Sequence, residues 1–225
     1  MRHPHGLRAA AAARLPAIGA AYEGGFFAGA ISHTANSVAT HLLIVAPRAT
    51  GATGTGYTLT TDKQWKTSND TTSGTTSEYN GATNSANMNN ASHPAAQFCE
   101  GLSIGGYSDW YLPARYELEI AYYNLKPTTA SNDTSFGTNV YSVPSRGSAY
   151  TSGTPAQSIV TAFQTGNSEA FVADWHHSST EGGVTVSWKL RLTDGVASNS
   201  TLTFNPLNAL KTNTYPVRAF RKVAL

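Results

Sequence analysis

The sequence predicts an α+β domain in which two helices pack on a small, loop-rich antiparallel sheet. Two segments place apolar residues at helical spacing. Ala91, Ala95, Phe98, Cys99 and Leu102 recur at i, i+4, i+7, i+8 and i+11, and Ala114, Leu118, Ala121, Tyr122 and Leu125 repeat that arithmetic. Short runs of strand-forming residues, EGGFFAGAI and HLLIVAP, are bounded by Gly and Pro. Long tracts of Ser, Thr, Asn and Gly separate these segments, and only 12% of the 225 residues are charged, so neutral polar side chains must keep the surface wet.

In chain order, residues 1–20 read as an arm carrying an Ala-rich stretch that Pro16 ends. It is either a frayed terminus or an element that docks on a partner subunit. Residues 21–225 form the domain, opening with the two strands. GATGTGYTL offers spaced glycines, but no helix follows, so it reads as a turn and not as a phosphate cradle. Residues 67–90 have almost nothing apolar to bury and read as a long surface loop. The first helix follows, with Ser92 as N-cap, Pro94 in the first turn and a glycine, Gly101 or Gly105, at the end. A short strand around Trp110 to Leu112 leads into the second helix, which Pro127 closes. Polar coil then runs to about residue 157, and strand-like pieces fill the remainder.

Several functions are disfavoured by composition. A net charge of +2 without a basic stripe argues against nucleic-acid binding. The longest strongly apolar run, Leu42 to Ala46, is too short to insert in a bilayer, and Arg14 and Pro16 interrupt the only signal-like stretch, so a protein made in a cytoplasm is expected. Cys99, the single cysteine, forbids an internal disulfide and falls on an apolar helix stripe, where it reads as a core thiol. The 13 acidic residues are scattered, and His3 and His5 sit on the arm, so no metal or other cofactor is expected. HHSS at 176–179 juxtaposes His and Ser, but neighbours on a strand face opposite ways and no Gly-x-Ser-x-Gly elbow exists, which disfavours an enzyme.

The stretch DWYLPARYELE, with Asp109, Trp110, Leu112, Pro113 and Glu117, resembles the W-x-L-P-x-x-x-E-x-E signature of bacterial and phage C-type-lectin-like domains. HHSSTE (His176 to Glu181, with Ser178, Ser179 and Thr180), SWKLRLTDG (Ser187 to Gly195, with Trp188) and YPVRAFRKV (Tyr215 to Val223, with Val217 and Arg218) resemble the family's later core strands, in the family's order. The family's capping Thr is here Ala114, so Glu117 keeps half of a capping box and reads as structural. An aromatic pair usual before SSTE is here His176 and His177, which either replace core aromatics or bring an imidazole to the ligand face. Trp188, Leu192 and Gly195 read as buried anchors with a turn.

The resemblance implies a C-type-lectin-like fold in a phage tail-fibre or virion protein, or in a retroelement-diversified display protein. Its ligand face would comprise His176, Lys189, Arg191, Thr193, Asp194, Asn199, Thr201, Thr203, Asn205, Asn208 and Lys211. The implied partners are a host-surface glycan or envelope protein, other virion proteins through the arm, and further copies of the chain, a trimer being common in phage fibres. A capsid-decoration or tail-assembly role is the alternative. Formylglycine-generating oxidases share the W-x-L-P region but need a cysteine pair, which Cys99 alone does not supply.

Overall fold

The computed structural model describes residues 15–54, 57, 61–200 and 208–225. Its strands are β1 (Ala21–Tyr22), β2 (Gly25–Ile31), β3 (His41–Val45), β4 (Ala52–Thr53), β5 (Lys63–Gln64), β6 (Trp175–Glu181), β7 (Ser187–Arg191), β8 (Ala197–Ser198), β9 (Thr214–Tyr215), β10 (Val217–Arg218) and β11 (Phe220–Ala224). Its helices are α1 (Arg48–Gly51), α2 (Gly81–Ala86), α3 (Pro94–Glu100) and α4 (Arg115–Leu125). The architecture is α+β. An antiparallel sheet β1-β2-β3-β11 ties the beginning of the described chain to its end, and a second sheet, β6-β7-β8, is joined to it by short ribbons β4-β10 and β5-β9.

The run HLLIV is buried throughout its apolar part because both faces of the first sheet are covered. Leu43 and Val45 belong to the cluster under α4 with Leu118, Leu125, Phe163, Leu190 and Phe220. Leu42 and Ile44 point the other way, into a cluster with Cys99 of α3, Trp65, Trp110 and Leu112. A strand that alternates between two apolar layers has no polar face, which explains its continuous hydrophobic pattern. At roughly 1.5–3 kcal/mol per fully buried aliphatic side chain, this stack is the main source of cohesion. Ile18 packs against both clusters, and Gly19 donates from its N–H to Phe27 O at 2.8 Å, so the chain already belongs to the body of the domain before residue 21.

Both expected helices form, with differences at the first. Its N-cap is His93, not Ser92, and Ala91 is exposed and precedes the helix, while Ala95 and Cys99 are buried. Burial pushes the Cys99 thiol well above its ordinary pKa, in keeping with a core role. Residues 67–90 depart further from expectation. They contain α2, and Thr75, Asn84, Ser85 and Met88 are fully buried. Half of the tract is exposed, as a surface segment should be, but its buried polar part is anchored on β6: Asn84 Nδ2 donates to Ser179 Oγ at 3.2 Å. No helix among the described residues is long and apolar enough to cross a membrane.

Candidate functional site

The start of α4 is where the sequence motifs converge. Ala114 has no side-chain acceptor, yet the N–H groups of Arg115 and Tyr116 are satisfied from elsewhere. The Arg115 N–H donates to Thr180 Oγ1 at 3.1 Å and the Tyr116 N–H to Glu78 O at 2.9 Å. Glu117 reaches back to the Ala114 N–H at 2.8 Å, and its carboxylate also accepts from the Gly81 N–H (3.1 Å) and the Tyr111 hydroxyl (3.0 Å). A hydroxyl from β6 thus satisfies a donor that the helix start leaves open. Gly81 admits this contact because a Cβ there would stand 2.4 Å from both the Ala114 nitrogen and Glu117 Oε2. Burial raises Glu117 to about pH 7, against the opposing pull of its hydrogen-bond donors.

The rest of SSTE ties loops to strands. Ser179 N donates to Pro113 O at 2.7 Å, Ser178 Oγ to Trp188 O at 2.8 Å, and Trp65 Nε1 to Ser178 O at 2.9 Å. Glu181 accepts from the Thr72 N–H at 2.8 Å and pairs with the fully buried Lys211 ammonium. Val217 and Arg218 are buried too. The Arg218 guanidinium donates to Ala46 O at 2.8 Å and to Glu169 O at 2.7 Å and pairs with the Glu169 carboxylate at 2.6 Å. Asp109 forms a two-point pair with Arg221, at 2.8 and 3.1 Å.

The expected ligand face does not survive intact. His176 is fully buried, with Nε2 2.7 Å from the Tyr57 hydroxyl, and His177 is buried against the Tyr215 ring. Both imidazoles therefore stand in the core where aromatics were expected. Burial lowers them to about 3 and about 4, so they are neutral near pH 7. Lys189 is buried and spans the rings of Trp175 (4.1 Å) and Tyr215 (4.3 Å), donating to Asn208 O and the Tyr215 hydroxyl at 2.6 and 2.8 Å. Burial brings its ammonium down to about 8. His176 and Lys211 are thus interior groups held away from any ligand, whereas Lys189, 2% exposed, borders the cleft between α4 and β7. Trp188 errs in the opposite direction: it is half-buried, and the Arg115 guanidinium lies 3.8 Å from its ring centre.

The remaining candidates fall at two ends of the β6-β7-β8 sheet. Arg191 and Asp194 pair at 2.8 and 2.5 Å beside Thr193, whose hydroxyl donates to Ala173 O. Gly195 turns the chain there at φ +80°, where a Cβ would strike Tyr122 and Tyr150 at 2.6 Å. At the other end lie Asn199, 3.4 Å from Gly182 O, and Asn208, bridged to Ser200. Thr201, Thr203 and Asn205 lie outside the described residues.

A cleft of about 170 Å³ opens between α4 and the β7-β8 pair, with residues 135–138 along its rim. Arg115, Tyr116 and Glu119 line it from the helix, Tyr150 from the coil and Ala197 from the sheet. Glu119 was not anticipated. Its carboxylate accepts from Asn139 Nδ2 and the Tyr150 hydroxyl, each at 2.5 Å, and pairs with Arg146. Its spacing of two residues from Glu117 was visible, but its partners lie 20 to 31 residues away in polar coil. Among the described residues no group of three His, Cys, Asp or Glu side chains converges to hold a metal. No protein-family model matches the chain, and no curated protein matches it.

Proposed function

We propose that this chain is a non-enzymatic binding protein with a C-type-lectin-like fold, working at the surface of a phage particle and attaching to a host-surface ligand. The supporting observation is the meeting of the four motif segments at the base of α4. DWYLPARYELE supplies the helix, HHSSTE caps it through Thr180, the β7 segment carries the Trp188 and Arg115 contact, and the last strand bridges to Tyr111 just ahead of the helix through Phe220. Residues whose types suggest chemistry, His176, His177, Glu117 and Lys189, are buried in structural hydrogen bonds, which favours a scaffold over a reaction centre. The ligand-contacting residues in this reading are Arg191, Thr193 and Asp194 at one end of the β6-β7-β8 sheet and Asn199 at the other, together with Arg115 and Trp188. Several copies per particle would turn weak single contacts into firm attachment.

The test is binding of fluorescently labelled protein to candidate host cells, beside a variant with Arg191, Asp194 and Asn199 changed to alanine and checked for an unchanged melting curve. Saturable binding that the variant loses supports attachment through this face. A decoration or assembly role is the alternative reading: binding to depleted virions but to no cell, abolished by removing residues 1–14, would establish it instead.

A further inference from the structure

Lys222 of β11, the edge strand of the first sheet, converges with Asn80 at the start of α2 and Glu117 in the first turn of α4. The Lys222 ammonium donates to Asn80 Oδ1 at 2.6 Å, and the Thr83 N–H donates to the same oxygen at 3.4 Å. Asn80 is fixed through the main chain as well. Its own N–H donates to Ser77 Oγ at 3.1 Å, and the next N–H, that of Gly81, donates to the fully buried Glu117 carboxylate at 3.1 Å. Among the described residues Asn80 Oδ1 is the one hydrogen-bond acceptor of Lys222, and Asn80 Nδ2 donates to none of them. Burial lowers the Lys222 ammonium and raises the Glu117 carboxyl to about 7, each against the attraction between the two charges, so the pair is moved toward an amine and a carboxylic acid. Lys126 is held differently. Its ammonium also meets an asparagine, Asn132 Oδ1 at 2.6 Å, but Ala130 O and Pro155 O accept from it too, and the Asn132 amide nitrogen donates to three backbone carbonyls. That lysine is a satisfied cation beside an amide that cannot leave.

We infer that Lys222 and Asn80 join in an isopeptide bond, formed once per chain. Lys222 passes one ammonium proton to Glu117, and the amine adds through Nζ to Asn80 Cγ, one bond beyond the oxygen it already touches. Negative charge gathers on Oδ1, which faces the Thr83 N–H. The Cγ–Nδ2 bond then breaks, Nδ2 departing as ammonia with a proton from the attacking nitrogen, and the ammonia takes up the Glu117 proton to leave as ammonium and restore the carboxylate. No oxidant, reductant or cofactor enters. Holding amine and carbonyl in contact supplies the effective concentration that free side chains lack. The competing attack on Cγ, by the Gly81 nitrogen to give a succinimide, is opposed because Glu117 holds that N–H. The bond fastens the last strand to a residue 142 positions earlier, a covalent staple in a chain whose single cysteine allows no internal disulfide. It does not depend on what the chain binds.

The intact mass of the purified whole chain tests this. The expected mass lies below that of the sequence by one ammonia, and a tryptic digest should contain residues 67–115 joined to residues 222–225. Lys222→Arg, which keeps the charge, and Asn80→Ala should each show the full sequence mass, and Lys222→Arg should melt about 10 °C lower than the native chain. Glu117→Gln, shown to be folded by a cooperative melting transition, should cross-link about a hundredfold more slowly after refolding from urea. A folded native chain at full sequence mass would overturn the inference. So would an ammonia loss that persists in Lys222→Arg, or one carried by residues 67–115 without residues 222–225 attached, since either is the mark of a succinimide at Asn80. Undiminished cross-linking in Glu117→Gln would overturn the part given to Glu117.

Discussion

β3 and β6 are both almost wholly buried, and they reach that state by opposite chemistry. HLLIV is apolar on both faces and fits between two hydrophobic layers. WHHSSTE is polar at six of its seven positions, and its hydroxyls, imidazoles and carboxylate each meet a partner from a distant segment. β3 supplies cohesion that many apolar side chains would provide. β6 supplies addresses: it fixes residues 72–85, the base of α4 and residues 211–216 at set positions, so that the exposed face is presented on a rigid support. Cohesion is set by volume, whereas position is set by donor and acceptor pairing, and the two should fail differently.

The largest difference is expected at Lys211. Replacing it with Met leaves the Glu181 carboxylate without its cation in a site where its side chain is 6% exposed, a change that typically costs about 3–5 kcal/mol. Leu43→Ala, in the apolar layer, should cost about 2–5 kcal/mol through transfer and cavity. Urea unfolding distinguishes the mechanisms: adding Glu181→Gln should restore much of the loss in Lys211→Met, while no second polar change should restore Leu43→Ala. Equal behaviour of the two would remove the distinction between cohesion and position.

Acid sharpens the comparison next. His176, His177, His93 and His33 are held by burial at about 3, 4, 4 and 4. These cationic groups have folded values below the unfolded value of about 6.5. Their contribution is therefore fully present above that value and is lost as pH falls toward 4, because the unfolded chain takes up the protons. Glu117 acts in the opposite sense. Its folded value of about 7 exceeds the unfolded one, so its contribution is lost as pH rises toward 7. Four groups outweigh one, and the melting temperature should fall between pH 6.5 and 4. His177→Phe, which keeps a ring beside Tyr215, should flatten that slope; an unchanged slope would show that His177 is not the neutral buried group described.

The two strands also differ in how far the sequence discloses them. β2, β3 and α4 follow from apolar spacing alone, because each buries side chains whose type states their destination. Lys189, Lys211 and His176 read as solvent-facing, since a charged or polar residue on a strand ordinarily is. Their partners, Asn208, Glu181 and Tyr57, lie 19, 30 and 119 residues away, so no local pattern reveals that they turn inward. Asn84 and Ser85 are missed for the same reason: a polar tract reads as loop unless the groups that satisfy it are known. Motif resemblance drew attention to SSTE, while the reason those residues matter, the capping of α4 by Thr180, emerged only with the contact in place.

The smallest expected effect tests that cap. Thr180→Val removes the acceptor of the Arg115 N–H and the donor to Ser77 O, and should cost about 1 kcal/mol, the usual worth of an N-cap. Ala114→Ser places a hydroxyl at the ordinary capping position. A serine there would accept from the Tyr116 or Glu117 N–H, whereas Thr180 accepts from the Arg115 N–H, so the two hydroxyls serve different donors and a double-mutant cycle should read near-additive effects. Strong coupling would mean that the two hydroxyls compete for one donor and that Thr180 does not serve the Arg115 N–H as described. Additivity would establish that a hydroxyl on a strand 65 residues away satisfies a helix-start donor that a side chain at 114 does not reach, and with it a physical reason that HHSSTE and DWYLPARYELE occur together in one chain.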